Sequence, residues 1–274
     1  MLNAVRTGVG AAGDFVVAVA YTPFAEMLIW VGTLFGGIIF TGANGHLPTQ
    51  VFALVIVTLA VSPLALKGTI EWRSRRRDEV LDGREATAAQ FGTVVLQDAA
   101  DLELSNRADR VAMAENWINE ALDHVWANYF SANKRVRVLF YDINSARTAL
   151  TMNTRYPPRG RDHAAPRPFD AGEDTRGSTA LARFESPKPF HYVADTSVMS
   201  DQEFGDTTRP YATFIAVPIR ATSEAFGMLT VDSTRASDLD ERDGPALEIY
   251  ANAIAFYLAA ERRGRQNRGG TEAP

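Results

Sequence analysis

The stretch YATFIAVPIRATSEAFGMLTVDSTRASDLDERD, residues 211–243, gives the clearest indication of the fold. Its two apolar runs, ATFIAVPI and AFGMLTVDS, flank a short polar connection, which predicts a pair of antiparallel strands. The acidic segment DLDERD that follows is typical of a helix start, because the helix dipole stabilises carboxylates near a helix N-terminus. A metal or acid–base role for these carboxylates is the weaker interpretation. The stretch therefore predicts a hairpin followed by a helix.

The final helix, predicted over residues 242–263, carries apolar residues at three- and four-residue intervals, which is typical of a helix with one buried face. That face comprises Leu247, Tyr250, Ala251, Ile254, Tyr257 and Leu258. A second helical pattern covers residues 78–132, with a break near LSNRADR. Its earlier half is thinner in apolar residues, which suits a stalk or a dimer helix.

Between these helical regions the pattern changes to strands. Residues 135–143 and 147–156 predict a second hairpin, and residues 157–177, rich in Pro, Gly, Asp and Arg, predict a loop or lid. A short helix and a strand ending at Asp195 follow. This order predicts an α+β domain with helices grouped against a mostly antiparallel sheet.

Three segments carry a family resemblance. GSTALARFESPKPFHYVAD, FIAVPIRATSEAFGMLTVDS and LDERDGPALEIYANAIAFYL together resemble a GAF domain. The resemblance extends over about residues 88–263 and implies a GAF-like antiparallel sheet flanked by helices. It implies less about function, because one fold hosts many ligands.

Composition excludes several kinds of chemistry. The 274-residue chain has a net charge of −5, which gives no reason to expect nucleic acid as a partner. It has no cysteine, and its four histidines show no metal-ligand spacing. No nucleophile with an adjacent base and no dinucleotide or phosphate loop is present. We therefore expect no catalytic residue, metal or cofactor, and a binding module instead of an enzyme.

A charge-free stretch predicts a membrane segment. No Asp, Glu, Lys or Arg occurs between Glu26 and Lys67, and the turn-forming segment TGANGHLPTQ divides this stretch into two apolar runs, about 23–41 and 47–66. Together they predict a two-helix transmembrane hairpin. Basic residues flank it on both sides, which places both termini in the cytoplasm and the protein in the inner or plasma membrane as a multi-pass protein.

Three residues of this segment are candidates for a role in the membrane. The GxxxG spacing of Gly32 and Gly36 allows close helix packing, although chance is a serious alternative. Glu26 either reaches the headgroups or has a role inside the membrane.

Five regions result. They are a cytoplasmic or interfacial segment (1–22), the hairpin (23–67), a basic juxtamembrane segment and helical stalk (68–107), the GAF-like domain (108–263) and a disordered tail (264–274).

The resemblance implies a ligand site between the sheet and its covering loops, here residues 157–195. Arginine forks suit phosphate or carboxylate oxygens, so an anionic, nucleotide-like ligand is expected. The candidate residues are Arg159, Arg161, Arg167, Arg176, Phe184, Tyr192, Asp195 and Phe214. In the alternative interpretation, Asp162, Asp170, Glu173 and Asp174 balance the arginines of a solvated loop, and the aromatic residues belong to the core.

The expected function is that of a membrane-anchored cytoplasmic sensor in bacterial signal transduction. Its GAF-like domain would bind a small ligand or form homodimers or larger homo-oligomers. An alternative is a defence-type effector, in which ligand-driven oligomerisation makes the hairpin perturb the bilayer. A tethered scaffold without ligand is a third possibility.

Overall fold

The computed structural model describes residues 47–162, 168–172, 175–199, 210–222 and 224–266, with side chains described from Thr69 onward except at residues 73, 107, 175, 264 and 266. Helix α1 spans Leu47–Leu104. The chain divides into two compact units between Val80 and Leu81.

The second unit contains α2, a sheet and two further helices. Helix α2 (Arg107–His124) continues into a π-helical turn (Val125–Tyr129). The strands are β1 (Val136–Ile143), β2 (Ala149–Met152), β3 (Arg159–Gly160), β4 (Phe169–Asp170), β5 (His191–Val193), β6 (Thr213–Arg220) and β7 (Ala225–Ser233). Helix α3 (Thr175–Ala182) lies between β4 and β5, and α4 (Asp243–Gln266) follows β7. Short 3-10 helices cover Thr196–Val198 and Ala236–Asp238.

All pairs in the described sheet are antiparallel, in the order β4-β2-β1-β7-β6-β5, with β3 paired to β1. The two hairpins predicted from sequence therefore form, and β1 of the first pairs with β7 of the second. Residues 157–177, predicted as loop, contain the two-residue strands β3 and β4.

The break in the helical region is a helix cap. Asn106 precedes α2, and its side-chain oxygen accepts hydrogen bonds from the backbone amides of Ala108 (3.0 Å) and Asp109 (3.1 Å). This arrangement satisfies amides that a helix start leaves without partners. The segment LSNRADR therefore ends α1 and starts α2.

One face of the sheet packs against helices. Side chains of alternate residues in β1, β6 and β7 form a core with α2, α4 and the part of α1 that lies in the second unit. From the central strands these are Val136, Val138, Phe140, Ile215, Val217, Ile219, Leu229 and Val231. The predicted apolar face of α4 is buried here through Leu247, Tyr250, Ala251, Ile254 and Tyr257. The residues between these positions therefore have their side chains on the opposite face of the sheet.

The described part of the chain does not support the predicted transmembrane hairpin. The first predicted span, with Glu26, Gly32 and Gly36, lies outside the described residues, as do the side chains of the second span. Between Glu71 and Glu79, α1 carries charged residues at most positions. Among the described residues no helix is long and apolar enough to cross a membrane. On this finding, the predicted location as a multi-pass membrane protein is withdrawn.

Candidate functional site

The second face of the sheet carries polar residues at its centre. Because side chains alternate along a strand, Arg137 lies on this face between Val136 and Val138, which point to the helices. Arg137 of β1 is the direct partner of Asp232 in β7. Two neighbouring central strands thus place opposite charges side by side inside the fold.

Asp232 binds two arginines. Its Oδ2 atom accepts hydrogen bonds from Nε (3.1 Å) and Nη2 (2.8 Å) of Arg137, and its Oδ1 atom accepts one from Nη2 of Arg161 (2.6 Å). All three side chains are at most 6% exposed. Burial raises the pKa of Asp232 and lowers the pKa of Arg161, with the opposite charges countering both shifts. This buried ion cluster has one more arginine than carboxylate.

A cavity of about 40 Å³ adjoins the ion cluster, between the sheet and α3. We call it the sheet-face cavity. Its cationic lining comes from Arg137 in the sheet and from Arg176 and Arg183. The guanidinium of Arg176 lies 4.2 Å from the ring centre of Phe169, which is close enough for a cation–π contact. The remaining lining residues are Leu139, Tyr141, Ala180, Tyr211, Phe214, Ala216, Met228, Thr230 and Asp232.

Polar atoms at this cavity lack protein partners. Among the described residues, Nε of Arg176 and Oγ1 of Thr230 are buried and make no hydrogen bond, and the same holds for Nε of Arg161 in the ion cluster. Buried polar groups are normally hydrogen-bonded, because an unmade bond costs about 1–3 kcal/mol. The lining therefore offers donors to a small molecule with several acceptor atoms.

Two predicted site residues, Arg176 and Phe214, line the sheet-face cavity together. Arg161 lies beside them through its bond to Asp232. Arg167 lies outside the described residues. Phe184 lines a different cavity of about 410 Å³, formed where the β1–β2 turn, the β6–β7 turn and the end of α3 meet. We call it the end cavity.

The other predicted residues have structural contacts away from both cavities. Arg159 donates hydrogen bonds to Asp123 and Asn119 of α2 and so ties β3 to that helix. The hydroxyl of Tyr192 donates to the carbonyl of Leu239 (3.2 Å). Asp195 caps a 3-10 helix by accepting from the amide of Ser197 (2.8 Å).

Sequence reasoning missed Arg137, Arg183, Thr230 and Asp232. The signal for two of them was present, because Arg137 and Asp232 are charged residues inside otherwise apolar strands. A charged side chain on a buried strand needs an oppositely charged partner. Which residue is that partner becomes known only from the order of the strands in the sheet. No group of three or more His, Cys, Asp or Glu residues in the described part of the chain is placed to hold a metal ion.

The chain is similar to several proteins of known structure. No family model matches the chain. No curated protein matches it either. The free methionine-R-sulfoxide reductase from Neisseria meningitidis, solved with its substrate, is 18% identical over 58% of this chain and 94% of its own, with a TM-score of 0.41. The fRMsr of Staphylococcus aureus in its reduced form is 20% identical over 56% and 96%, with a TM-score of 0.37.

A third structure is a GAF domain without a reductase description. The GAF domain of the Acinetobacter phosphoenolpyruvate-protein phosphotransferase is 15% identical over 58% of this chain and 96% of its own, with a TM-score of 0.40.

These likenesses correct one expectation. Three of the similar structures are reductases, and the expectation that the chain is no enzyme is withdrawn. The resemblance to GAF domains is confirmed for the fold: an antiparallel sheet with helices on one face, closed on the other by a short helix and loops. The domain has a GAF-like fold.

Proposed function

We propose that the chain is a sensory protein whose GAF-like domain binds a small oxyanion in the sheet-face cavity. The observation that carries this proposal is the set of arginines at one small cavity, with Asp232 as its only described carboxylate. That carboxylate already accepts hydrogen bonds from Arg137 and Arg161. Among the described residues no carboxylate pairs with Arg176, so its positive charge is left to act on a ligand.

Electrostatics favour an anion with several oxygens. The cavity adjoins a buried cluster, where the effective dielectric constant is lower than in water and a charge interaction is stronger. Guanidinium groups present donors in a planar fork that matches carboxylate and phosphate oxygens. The Nε of Arg176 and the hydroxyl of Thr230 supply donors without partners in the described protein.

The size of the cavity limits the ligand. One water molecule needs roughly 10–15 Å³ of such space, so a cavity of about 40 Å³ holds about three waters. A carboxylate or phosphate group fits this volume, whereas a whole nucleotide does not. We therefore narrow the expected nucleotide-like ligand to a small oxyanion or the anionic end of a larger ligand.

Binding of an oxyanion would connect two elements of the domain. Arg176 belongs to α3, and Thr230 belongs to the central strand β7. A ligand that contacts both stabilises the arrangement in which α3 lies on the sheet, and a ligand shifts an equilibrium by its difference in affinity for the two states. This is the property that a sensor needs.

The proposal is tested with thermal unfolding of the full chain in acetate, malonate, phosphate and sulfate, each against chloride at equal ionic strength. A ligand that binds the native state stabilises it in proportion to the logarithm of its concentration. We expect at least one oxyanion to raise the Tm and Arg176→Ala to remove that shift. Arg235→Ala is the matched control, because Arg235 is an exposed arginine outside both cavities. A Tm that responds equally in all three proteins would contradict the proposal.

A further inference from the structure

The end cavity is a separate space from the sheet-face cavity, and the two share no described lining residue. At about 410 Å³ it falls within the range of roughly 300–1,000 Å³ that is usual for small-molecule sites. One wall is apolar and consists of Ile143, Leu181 and Phe184, which are partly buried against the second core of the sheet. A ring-sized apolar group would cover this wall.

The cavity also has charged lining residues. Arg147 and Arg220 line it together with Glu185 and Glu224. Glu224 forms an ion pair with Arg262, so its charge is already balanced. Among the described lining residues, two arginines and Glu185 remain, which leaves an excess of one positive charge. Nη1 of Arg220 donates to the carbonyl oxygen of Phe184 (2.8 Å), which holds this guanidinium at the apolar wall.

Arg147 occupies a backbone conformation that suits a different residue. Its φ is +56°, in the left-handed region, where glycine and asparagine are favoured because a larger side chain crowds the backbone. The turn enforces this conformation: the Arg147 amide donates to the Asn144 carbonyl (2.9 Å), and the Asn144 side chain accepts from the Thr148 amide (2.8 Å).

In the described part of the chain, no hydrogen bond or ion pair of the Arg147 side chain offsets this backbone strain. The guanidinium is exposed, and no described residue forms a hydrogen bond or ion pair with it. Non-glycine residues held at positive φ concentrate at functional sites. A cation kept at a position where glycine fits better, at the wall of a cavity, points to a ligand that needs the charge.

We propose that the end cavity is a second binding site, for a small organic anion with an apolar, ring-sized body. The apolar body lies against Phe184, Leu181 and Ile143, and the anionic group binds Arg147 and Arg220. This site is independent of the oxyanion proposed for the sheet-face cavity, which is too small for such a body.

The test is a calorimetric titration of the full chain with 2-naphthoate. A second titration uses 2-naphthylmethanol, which has the same ring system without the charge. We expect naphthoate to bind more tightly than the alcohol. Arg147→Gly should weaken naphthoate binding at least tenfold and leave the alcohol unchanged, while Arg147→Lys should keep part of the affinity. Because glycine relieves the strain, Arg147→Gly should keep or raise the unfolding midpoint, so a loss of binding cannot be ascribed to misfolding.

Arg176→Ala is the matched control for the sheet-face cavity and should leave naphthoate binding unchanged. The proposal is overturned if naphthoate and the alcohol bind equally or not at all, if Arg147→Gly binds naphthoate as tightly as the unchanged protein, or if Arg176→Ala abolishes binding. Each of these results leaves the thermal response to small oxyanions as a separate test of the first site.

Discussion

Arg84 and Asp243 form a buried ion pair between α1 and the start of α4. Nη1 of Arg84 lies 3.1 Å from Oδ1 and 3.2 Å from Oδ2 of Asp243, whose side chain is 0% exposed. The hydroxyl of Tyr129 donates to the same carboxylate (3.0 Å), as does the amide of Asp240 (2.7 Å). The acidic segment that predicts a helix start thus ends in a buried carboxylate that joins three parts of the fold.

We predict that Arg84→Ala destabilises the domain by about 3–5 kcal/mol, because it leaves a carboxylate buried without its countercharge. Tyr129→Phe removes a single hydrogen bond and should cost about 1–3 kcal/mol. Urea unfolding of the full chain measures both changes. Arg242→Ala is the matched control: Arg242 pairs with Asp82 and Glu85 at the surface, and its loss should leave the midpoint nearly unchanged. Equal effects of the two arginine substitutions would argue against the buried pair.

A second prediction concerns two glycines with opposite surroundings. A Cβ atom at Gly227 would lie 2.0 Å from the backbone oxygen of Tyr141 in β1, which the sheet holds in place. Gly227→Ala should therefore destabilise by about 1–3 kcal/mol, the usual cost of overpacking. At Gly83, an exposed position within α1, a Cβ would meet nothing within 4 Å. Gly83→Ala should stabilise by about 0.5–1 kcal/mol, since alanine is the better helix former. Chemical denaturation that shows the same sign for both would refute this account.

The third prediction is a dependence of stability on pH through His191. Burial, with smaller contributions from Arg183 and Lys188, lowers the pKa of His191 from 6.5 to about 4. The folded state thus keeps the ring neutral, and between pH 6.5 and 4 the unfolded state binds more protons. The free energy of unfolding should be fully retained above pH 6.5 and should fall as the pH decreases towards 4.

The variant His191→Phe isolates this effect from the carboxylates that titrate in the same range. We expect the difference in unfolding free energy between the unchanged protein and the variant to vary across pH 6.5 to 4 and to be constant above it. A difference that is constant over the whole range would show that His191 is not held neutral in the folded protein.

The fourth prediction separates stability from binding at the ion cluster. Asp232→Asn leaves Arg137 and Arg161 buried without a countercharge, so the domain should lose about 3–5 kcal/mol of stability. The same change raises the positive charge beside the sheet-face cavity. Where the folded protein is recovered, calorimetry should therefore show tighter binding of the small oxyanion, and weaker binding would contradict the role given to these charges.

Much of the fold follows from local pattern. The two hairpins, the break before α2 and the apolar face of α4 are all readable from residue spacing, because period and capping are local properties. Strands β3 and β4 were missed since each has two residues and exists only through its partner in the sheet.

The site was less predictable for the same reason. Arg176 and Phe214 were found from residue type. Arg159 was chosen on the same ground as Arg176, but its side chain binds α2 instead. Arg137 and Asp232 are 95 residues apart and meet only because β1 pairs with β7. Long-range strand pairing is the information that composition and spacing do not carry.

A crystal structure of the full chain with selenate would show whether Arg176 and Thr230 hold an oxyanion in the sheet-face cavity, because selenium locates the anion by anomalous scattering. We expect an anomalous peak within hydrogen-bond distance of Nε of Arg176 and Oγ1 of Thr230, and no such peak in Arg176→Ala crystals grown in the same solution. A sheet-face cavity without a peak at saturating selenate, or a peak that persists in Arg176→Ala, would contradict this expectation.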